Sequence, residues 1–295
     1  VSGRRKHPIA PPPAQQPAAL AGRLTDGDWQ VCRLLQDHQV LTAGLLALLL
    51  GVPPRTLQQR LTTLTSLRVV DRFRPHQSVG AGSAPYHYLL GEIGAAVLAT
   101  SGTTTVEGLG WDRTRVLGLA HANGRLSHLL GVNTLLAQLT HAARQQPALR
   151  LVCWWPAGRC HARWGPLITP DAYARWQDPH GEVDFFLHHH PSTAADQPAF
   201  LLEGYNDLAV ATGITTPVLL HADDPDHEAQ LRDRLTGRQL LVPVATSNPA
   251  SGPPAAAVWL PTSSPAGGPR YRLGALSHPT PWHPTRPVDG SAGWR

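Results

Sequence analysis

From Leu24 onward, apolar positions fall first at helical spacing and then in strand-like alternation, and this order predicts a small folded region of helices closed by a hairpin. Thr25-Asp26-Gly27-Asp28 is a helix N-cap signature. Trp29, Val31, Cys32, Leu34 and Leu35 then share one helical face, which predicts a helix over residues 26–38. A second cap at Thr42 opens a short apolar helix over 43–50, ended by Gly51, a residue that accepts a left-handed backbone. Pro53-Pro54 begins a third helix, where proline is tolerated in the first turn, and Leu57, Leu61, Leu64 and Leu67 give it a docking stripe. Alternation over 69–74 and again over 86–90, around a Gly/Ser-rich segment, predicts a hairpin. Residues 91–99 read as a closing helix, and 100–110 as a linker.

Three helices followed by a hairpin is the order of a winged helix-turn-helix, here over residues 24–102. Opposite its leucines, the third helix carries Arg55, Thr56, Gln58, Gln59, Arg60, Thr62 and Thr63. Such a face is polar, rich in hydrogen-bonding groups and free of acids, which suits base edges and phosphates in a major groove. The wing, residues 75–84, places Arg72, Arg74, His76 and Gln77 to reach phosphates or the minor groove. A solvated helix face, or a winged helix that serves only protein partners, is the plainer alternative.

The second region, residues 112–278, opens with a helical leucine stripe over 117–143. Strand-like runs at 149–155, 167–173, 183–189, 217–221, 240–245 and 256–260 then mix with helical runs at 199–208 and 226–235. The expected fold class is therefore α/β, in more than one domain. His121, His128 and His141 in the helix read as ordinary side chains, since no carboxylate pattern accompanies them. His188 and His190, at i and i+2 of a strand, project on one face and with Asp171 form a candidate transition-metal set. The alternative is a histidine run on an edge strand without any ligand role.

Composition narrows the class. The 29 prolines and 27 glycines concentrate at the ends, so residues 1–23 and 279–295 read as a disordered arm and tail. Net charge is +5, but residues 1–150 carry 15 basic against 7 acidic side chains, which makes that half the one to meet a polyanion. Three unpaired cysteines, Cys32, Cys153 and Cys160, suit a reducing, cytoplasmic setting. The apolar run Leu45–Leu50 is far shorter than the ~20 residues of a membrane span, so no membrane association is expected. No phosphate-binding glycine loop occurs, and no cofactor is expected.

With these residues in view, the chain resembles the replication-relaxation family, proteins of plasmids and mobile elements. The matching stretches are Leu24-Thr25-Asp26 with Trp29-Gln30-Val31, Arg60-Leu61 with Leu64, Val69 to Phe73, Gly82-Ser83-Ala84-Pro85-Tyr86 with Tyr88, and Pro170-Asp171-Ala172-Tyr173. The likeness spans residues 24–276. It implies a winged helix followed by a restriction-nuclease-like domain, in which an Asp after Pro, an acid-x-acid strand and a downstream Lys would hold and use Mg²⁺. Asp171 keeps the first position, but the strand reads Phe185-Phe186-Leu187-His188-His189-His190, and Glu203 stands near the place of the Lys. The only lysine in the chain is Lys6. The resemblance therefore implies a duplex-DNA-binding protein of mobile-element replication or transfer, with a second domain that is non-catalytic. Its expected partners are double-stranded DNA and replication or transfer proteins, and a homodimer is compatible. Two rivals stand beside it: a metal-dependent endonuclease or nickase using Asp171, His188 and His190, and a winged-helix protein-interaction module.

Overall fold

The computed structural model describes residues 17–75, 84–119, 124–165, 167–191, 198–279 and 281–282, in two compact units, 1–122 and 123–295. The first unit contains α1 (Pro17–Ala21), α2 (Asp26–His38), β1 (Leu41–Thr42), α3 (Ala43–Leu50), α4 (Pro54–Ser66), β2 (Val70–Phe73), β3 (His87–Leu90), α5 (Glu92–Ser101) and α6 (Arg113–Gly118). Local chemistry fixes the helix ends. The Thr25 hydroxyl accepts from the Asp28 N–H at 3.3 Å, while the Asp28 carboxylate accepts from the Thr25 N–H at 2.7 Å. This is a reciprocal capping box at the start of α2. Thr42 caps α3 through the Leu45 N–H at 3.3 Å, and Gly51 ends it in the left-handed region at φ 68°.

The three strands form an antiparallel sheet in the order β1-β3-β2, with Leu41 and Arg72 both opposite Tyr88. Val31 and Leu35 of α2, Leu46 of α3, Leu61 and Leu64 of α4, Leu89 of β3 and Val97 of α5 are buried between them. Each contributes on the order of 1.5–3 kcal/mol of hydrophobic burial.

Two expectations at the margins are corrected. Residues 17–21 are helical rather than part of an extended arm, because Leu20 is buried at 1% exposure and α1 packs against α5. Residues 100–110, expected as a linker, and 112–118, expected to open the second region, fall in the first unit. Gln36 donates to the Leu109 carbonyl at 2.7 Å, Trp111 Nε1 to the Leu90 carbonyl at 3.1 Å, and Arg113 Nε to Asp71 at 2.6 Å, all within the first unit.

The second unit contains α7 (Arg125–Gln145), β4 (Arg150–Pro156), α8 (Ala157–Trp164), β5 (Ala172–Asp178), β6 (Gly181–His190), α9 (Pro198–Thr212), β7 (Val218–Ala222), α10 (Pro225–Leu235), β8 (Val244–Ser247) and β9 (Leu260–Pro261). The strands form one mixed sheet in that order. β4, β5 and β6 are an antiparallel meander, β6, β7 and β8 run parallel, and β9 closes antiparallel. Parallel neighbours need a crossover, and α9 and α10 supply the two. Val183, Phe185 and Leu187 of β6 pack with Val132, Leu135 and Leu139 of α7 and with Trp259, Leu273 and Leu276. Phe186 faces the other way, among Leu202, Tyr205, Val218 and Leu220. β6 is thus buried on both faces, which explains its near-continuous apolar run.

The strand expected over 167–173 begins instead at Ala172. Pro170 has no N–H for the ladder, and the first pairing is the Asp171 N–H to the Leu187 carbonyl at 3.0 Å. Order also reaches past Pro279, where a tail was expected: Trp282 packs on the α7-side core and its Nε1 donates to the Leu276 carbonyl at 2.9 Å. Buried Glu228 of α10 fastens this C-terminal stretch, accepting from Arg270 at 2.8 and 3.0 Å and from Thr246 at 2.6 Å. Burial opposes its ionisation, but these bonds and one from Asn248 outweigh burial and lower its pKa.

A close approach in the first unit is testable. A Cβ on Gly94 of α5 would collide with the Val69 carbonyl oxygen. Gly→Ala in an open helix stabilises by roughly 1 kcal/mol, so the sign of the effect discriminates. Gly94→Ala is expected to destabilise the unit by about 1–3 kcal/mol through overpacking, read as a fall in Tm by circular dichroism. An unchanged or raised Tm would contradict this packing.

Candidate nucleic-acid interface

α4 separates its two faces cleanly. Leu57, Leu61 and Leu64 are buried, while Arg55, Thr56, Gln58, Gln59, Thr62 and Thr63 are exposed. No acid occurs anywhere in the helix. The Thr62 and Thr63 hydroxyls donate back to the carbonyls of Gln58 and Gln59 at 3.0 and 3.4 Å, so these exposed threonines offer acceptors beside the glutamine and arginine ends.

Arg60 stands apart from its neighbours. Its guanidinium forks onto Asp28 of α2, with Nε to Oδ1 at 2.6 Å and Nη2 to Oδ2. The Asp28 side chain is 1% exposed and that of Arg60 is 39% exposed. Burial raises the pKa of Asp28, but hydrogen bonds from Arg60 and Thr25 outweigh it and hold the carboxyl below its ordinary value. Arg60 therefore ties the two helices together, and only its remaining surface is open.

At the start of the hairpin Phe73 pairs with His87, and Arg72 and Arg74 flank Phe73 in the chain. The guanidinium carbons of Arg72 and Arg74 sit 4.0 and 3.9 Å from the Tyr86 ring centroid. A cation over an aromatic face is held electrostatically, which fixes two long side chains beside each other despite their like charge. Asp71, the nearest acid in the strand, is paired with Arg113. His76 and Gln77 lie outside the described residues.

In the second unit the structure brings Asp171 and His188 together and leaves His190 elsewhere. Asp171 Oδ1 is 2.7 Å from His128 Nε2, and its Oδ2 accepts the His189 backbone N–H at 2.9 Å. His188 Nδ1 is 3.9 Å from Asp171, and its Nε2 is 2.7 Å from the Tyr205 hydroxyl. His190 Nδ1 instead faces His227 Nε2 at 3.1 Å. Between them, the His189 ring covers Gly131 of α7 and its Nε2 is 3.3 Å from Asp223.

Burial pushes His188 down to about 4, against the pull of Asp171, so its ring is neutral near pH 7. Burial likewise drives the Tyr205 hydroxyl well above its usual value. If that hydroxyl donates to Nε2, the imidazole proton sits on Nδ1, directed at Asp171. Asp171 is itself opposed by burial, but His128, His188 and the His189 N–H together lower its pKa.

A hard cation such as Mg²⁺ asks for several oxygen ligands. This pocket offers one carboxylate, already engaged, beside imidazole nitrogens, so its donors do not fit that ion. Among the described residues, no group of three or more His, Cys, Asp or Glu side chains is arranged to hold a metal.

Three members of these sites escape sequence reasoning. His128 reads as an ordinary helical histidine, yet it reaches an acid 43 positions later. Tyr205 is one of five scattered tyrosines, and Asp28 looks like a capping residue alone. Gly131 inside a leucine stripe is the one local hint that α7 comes close to a bulky side chain at that level. His141 has no resolved role, and His121 lies outside the described residues.

These elements define a two-unit α/β protein with an acid-free helix face on the first unit and a histidine-lined carboxylate in the core of the second. A family model described as replication-relaxation matches residues 32–218, and the chain belongs to that family. No curated protein and no solved structure matches it. No helix among the described residues is long and apolar enough to cross a membrane.

The Arg60–Asp28 fork carries a measurable consequence. Arg60→Ala leaves a buried carboxylate with only its capping partners and is expected to cost about 2 kcal/mol. Because the folded pKa of Asp28 lies below its ordinary 3.8, the contribution is complete above that pH and disappears as pH falls through the lower folded value. Acid unfolding of Asp28→Asn should therefore lack that limb, and an acid transition identical to wild type would remove the pair from the stability of the unit.

Proposed function

We propose that the first unit is a winged helix-turn-helix that reads duplex DNA and serves the replication or transfer of a mobile genetic element. The observation that carries this reading is the exposed face of α4. Arg55, Thr56, Gln58, Gln59 and Thr63 project from a helix with no acid, and Arg72 and Arg74 are held together on Tyr86 in the adjoining hairpin. Glutamine amides suit adenine edges, and arginines suit guanine edges and phosphates. Arg60 sets the rotation of the helix and offers its open edge to the same surface. The family description, replication-relaxation, supports the setting.

The second unit serves this function as a non-catalytic, nuclease-like platform. Its helix α7, antiparallel strands β4, β5 and β6 with α8 between the first two, crossover helix α9 and parallel strand β7 support the nuclease-like reading. The replacement of the acidic strand positions by His188 and His190 supports the absence of Mg²⁺ chemistry. Replication or transfer proteins are the natural partners of such a platform.

The test is a salt titration of duplex binding by fluorescence anisotropy. Arg55→Ala and Arg74→Ala should each weaken binding and reduce the log–log salt slope by about 0.9, one phosphate contact apiece. Gln59→Ala should narrow the preference between sequences while leaving that slope alone. Wild-type affinity and slope in all three variants would overturn the assignment.

A further inference from the structure

We propose that the outer face of α8, in the second unit, binds single-stranded DNA, stacking bases on an arginine–tryptophan platform and holding phosphates on two arginines. The first ground is charge. From residue 123, where this unit begins, to Asp171 the chain has no Asp or Glu, and the stretch carries five arginines. α8 lies near the end of that stretch, directly after strand β4 at the edge of the sheet, and exposes Arg159, His161 and Arg163. Two other arginines of this unit are neutralised, Arg175 by Asp184 and Arg270 by Glu228. Neither Arg159 nor Arg163 has a carboxylate partner among the described residues.

The second ground is geometry. The Arg159 guanidinium lies over the Trp155 ring, 4.3 Å from its centroid. Trp155 is stacked on Trp164 with centroids 5.5 Å apart and 29° between planes, and both rings are braced by Tyr173 at 5.0 and 5.3 Å. Trp155 and Trp164 are half-buried, so the platform is held in place, and Arg159 over it is exposed.

A guanidinium held over an indole ring can stack an unpaired base, and a cationic surface with aromatic support is the recurring chemistry of single-strand binding. A duplex keeps its bases stacked inside and would leave the platform idle. An acidic protein surface would use the charges but has no need of the stacked rings. This surface belongs to the second unit and is argued from that unit's residues alone, so it does not rest on the reading of the first.

The experiment uses the full chain, a labelled oligothymidine and a labelled duplex of equal length, each titrated at several salt concentrations by anisotropy. Arg159→Ala/Arg163→Ala is expected to lower affinity for the oligothymidine about tenfold. Its salt slope should flatten by about 1.4, at ~0.7 per phosphate contact on a single strand. Duplex affinity should not change, and Arg55→Ala should show the opposite selectivity. Arg159→Lys/Arg163→Lys should keep the slope yet lose most of the affinity, because lysine restores the charge without the plane. Both positions are exposed, and a wild-type melting temperature confirms that the variants fold. Wild-type binding of oligothymidine by the alanine variant overturns the proposal. Equal losses for single strand and duplex also overturn it, since they would make α8 a general polyanion surface.

Discussion

A carboxylate in the first turn of α2 governs what the N-terminal unit can present to solvent. Asp28 accepts from the N–H and hydroxyl of Thr25 and from the fork of Arg60, with almost no exposure of its own. Such a pair adds little net stability, because desolvation offsets much of the attraction. Its value lies in geometry. A stripe of leucines on α4 would pack nearly as well after a small rotation, whereas a two-bond fork tolerates little. The pair therefore fixes which side chains of α4 face outward, and it does so from a residue whose more visible duty is to cap a different helix.

A related trade governs β6. A strand buried on both faces ordinarily carries only apolar groups, yet this one ends in three consecutive histidines. Each finds a different partner: His188 the Tyr205 hydroxyl, His189 the Asp223 carboxylate, and His190 the His227 ring. Burial lowers the pKa of His188 and His189, so at neutral pH they behave as uncharged hydrogen-bonding core residues. Aspartate or glutamate at the same depth would demand a cation or a proton. Histidines remove that demand, which is why the core closes around Asp171 with imidazoles and a backbone N–H alone.

What sequence could and could not foretell divides along chain separation. The caps at Thr25, Thr42 and Gly51 and the proline start of α4 rest on contacts within four residues, and they are legible. The docking leucines of α4 and the alternation of β2 and β3 are legible for the same reason. Arg60 reads as a solvent-facing arginine because its partner lies 32 residues away. His128 and Tyr205 are invisible until the sheet brings α7 and α9 to opposite sides of one strand. Asp171 could be singled out from Pro170-Asp171, but its company could not. Leu20 and Trp282 are not legible, because proline-rich surroundings suggest disorder while a single large apolar group suffices to hold a short segment down.

Net charge understates what such a chain can offer a polyanion. Several acids are committed internally, Asp28 to Arg60, Asp71 to Arg113, Asp184 to Arg175 and Glu228 to Arg270. Each pairing also withdraws one arginine, so the sum stays at +5 whichever pairs form. The arrangement alters location rather than total. Arg55 and Arg74 in one unit, and Arg159 and Arg163 in the other, remain at the surface without a carboxylate partner among the described residues. Within a Debye length of roughly 8 Å at physiological salt, an incoming phosphate responds to these local clusters and not to the average. A modest overall charge is thus compatible with two cationic surfaces of different character, one on an acid-free helix face and one backed by stacked tryptophans.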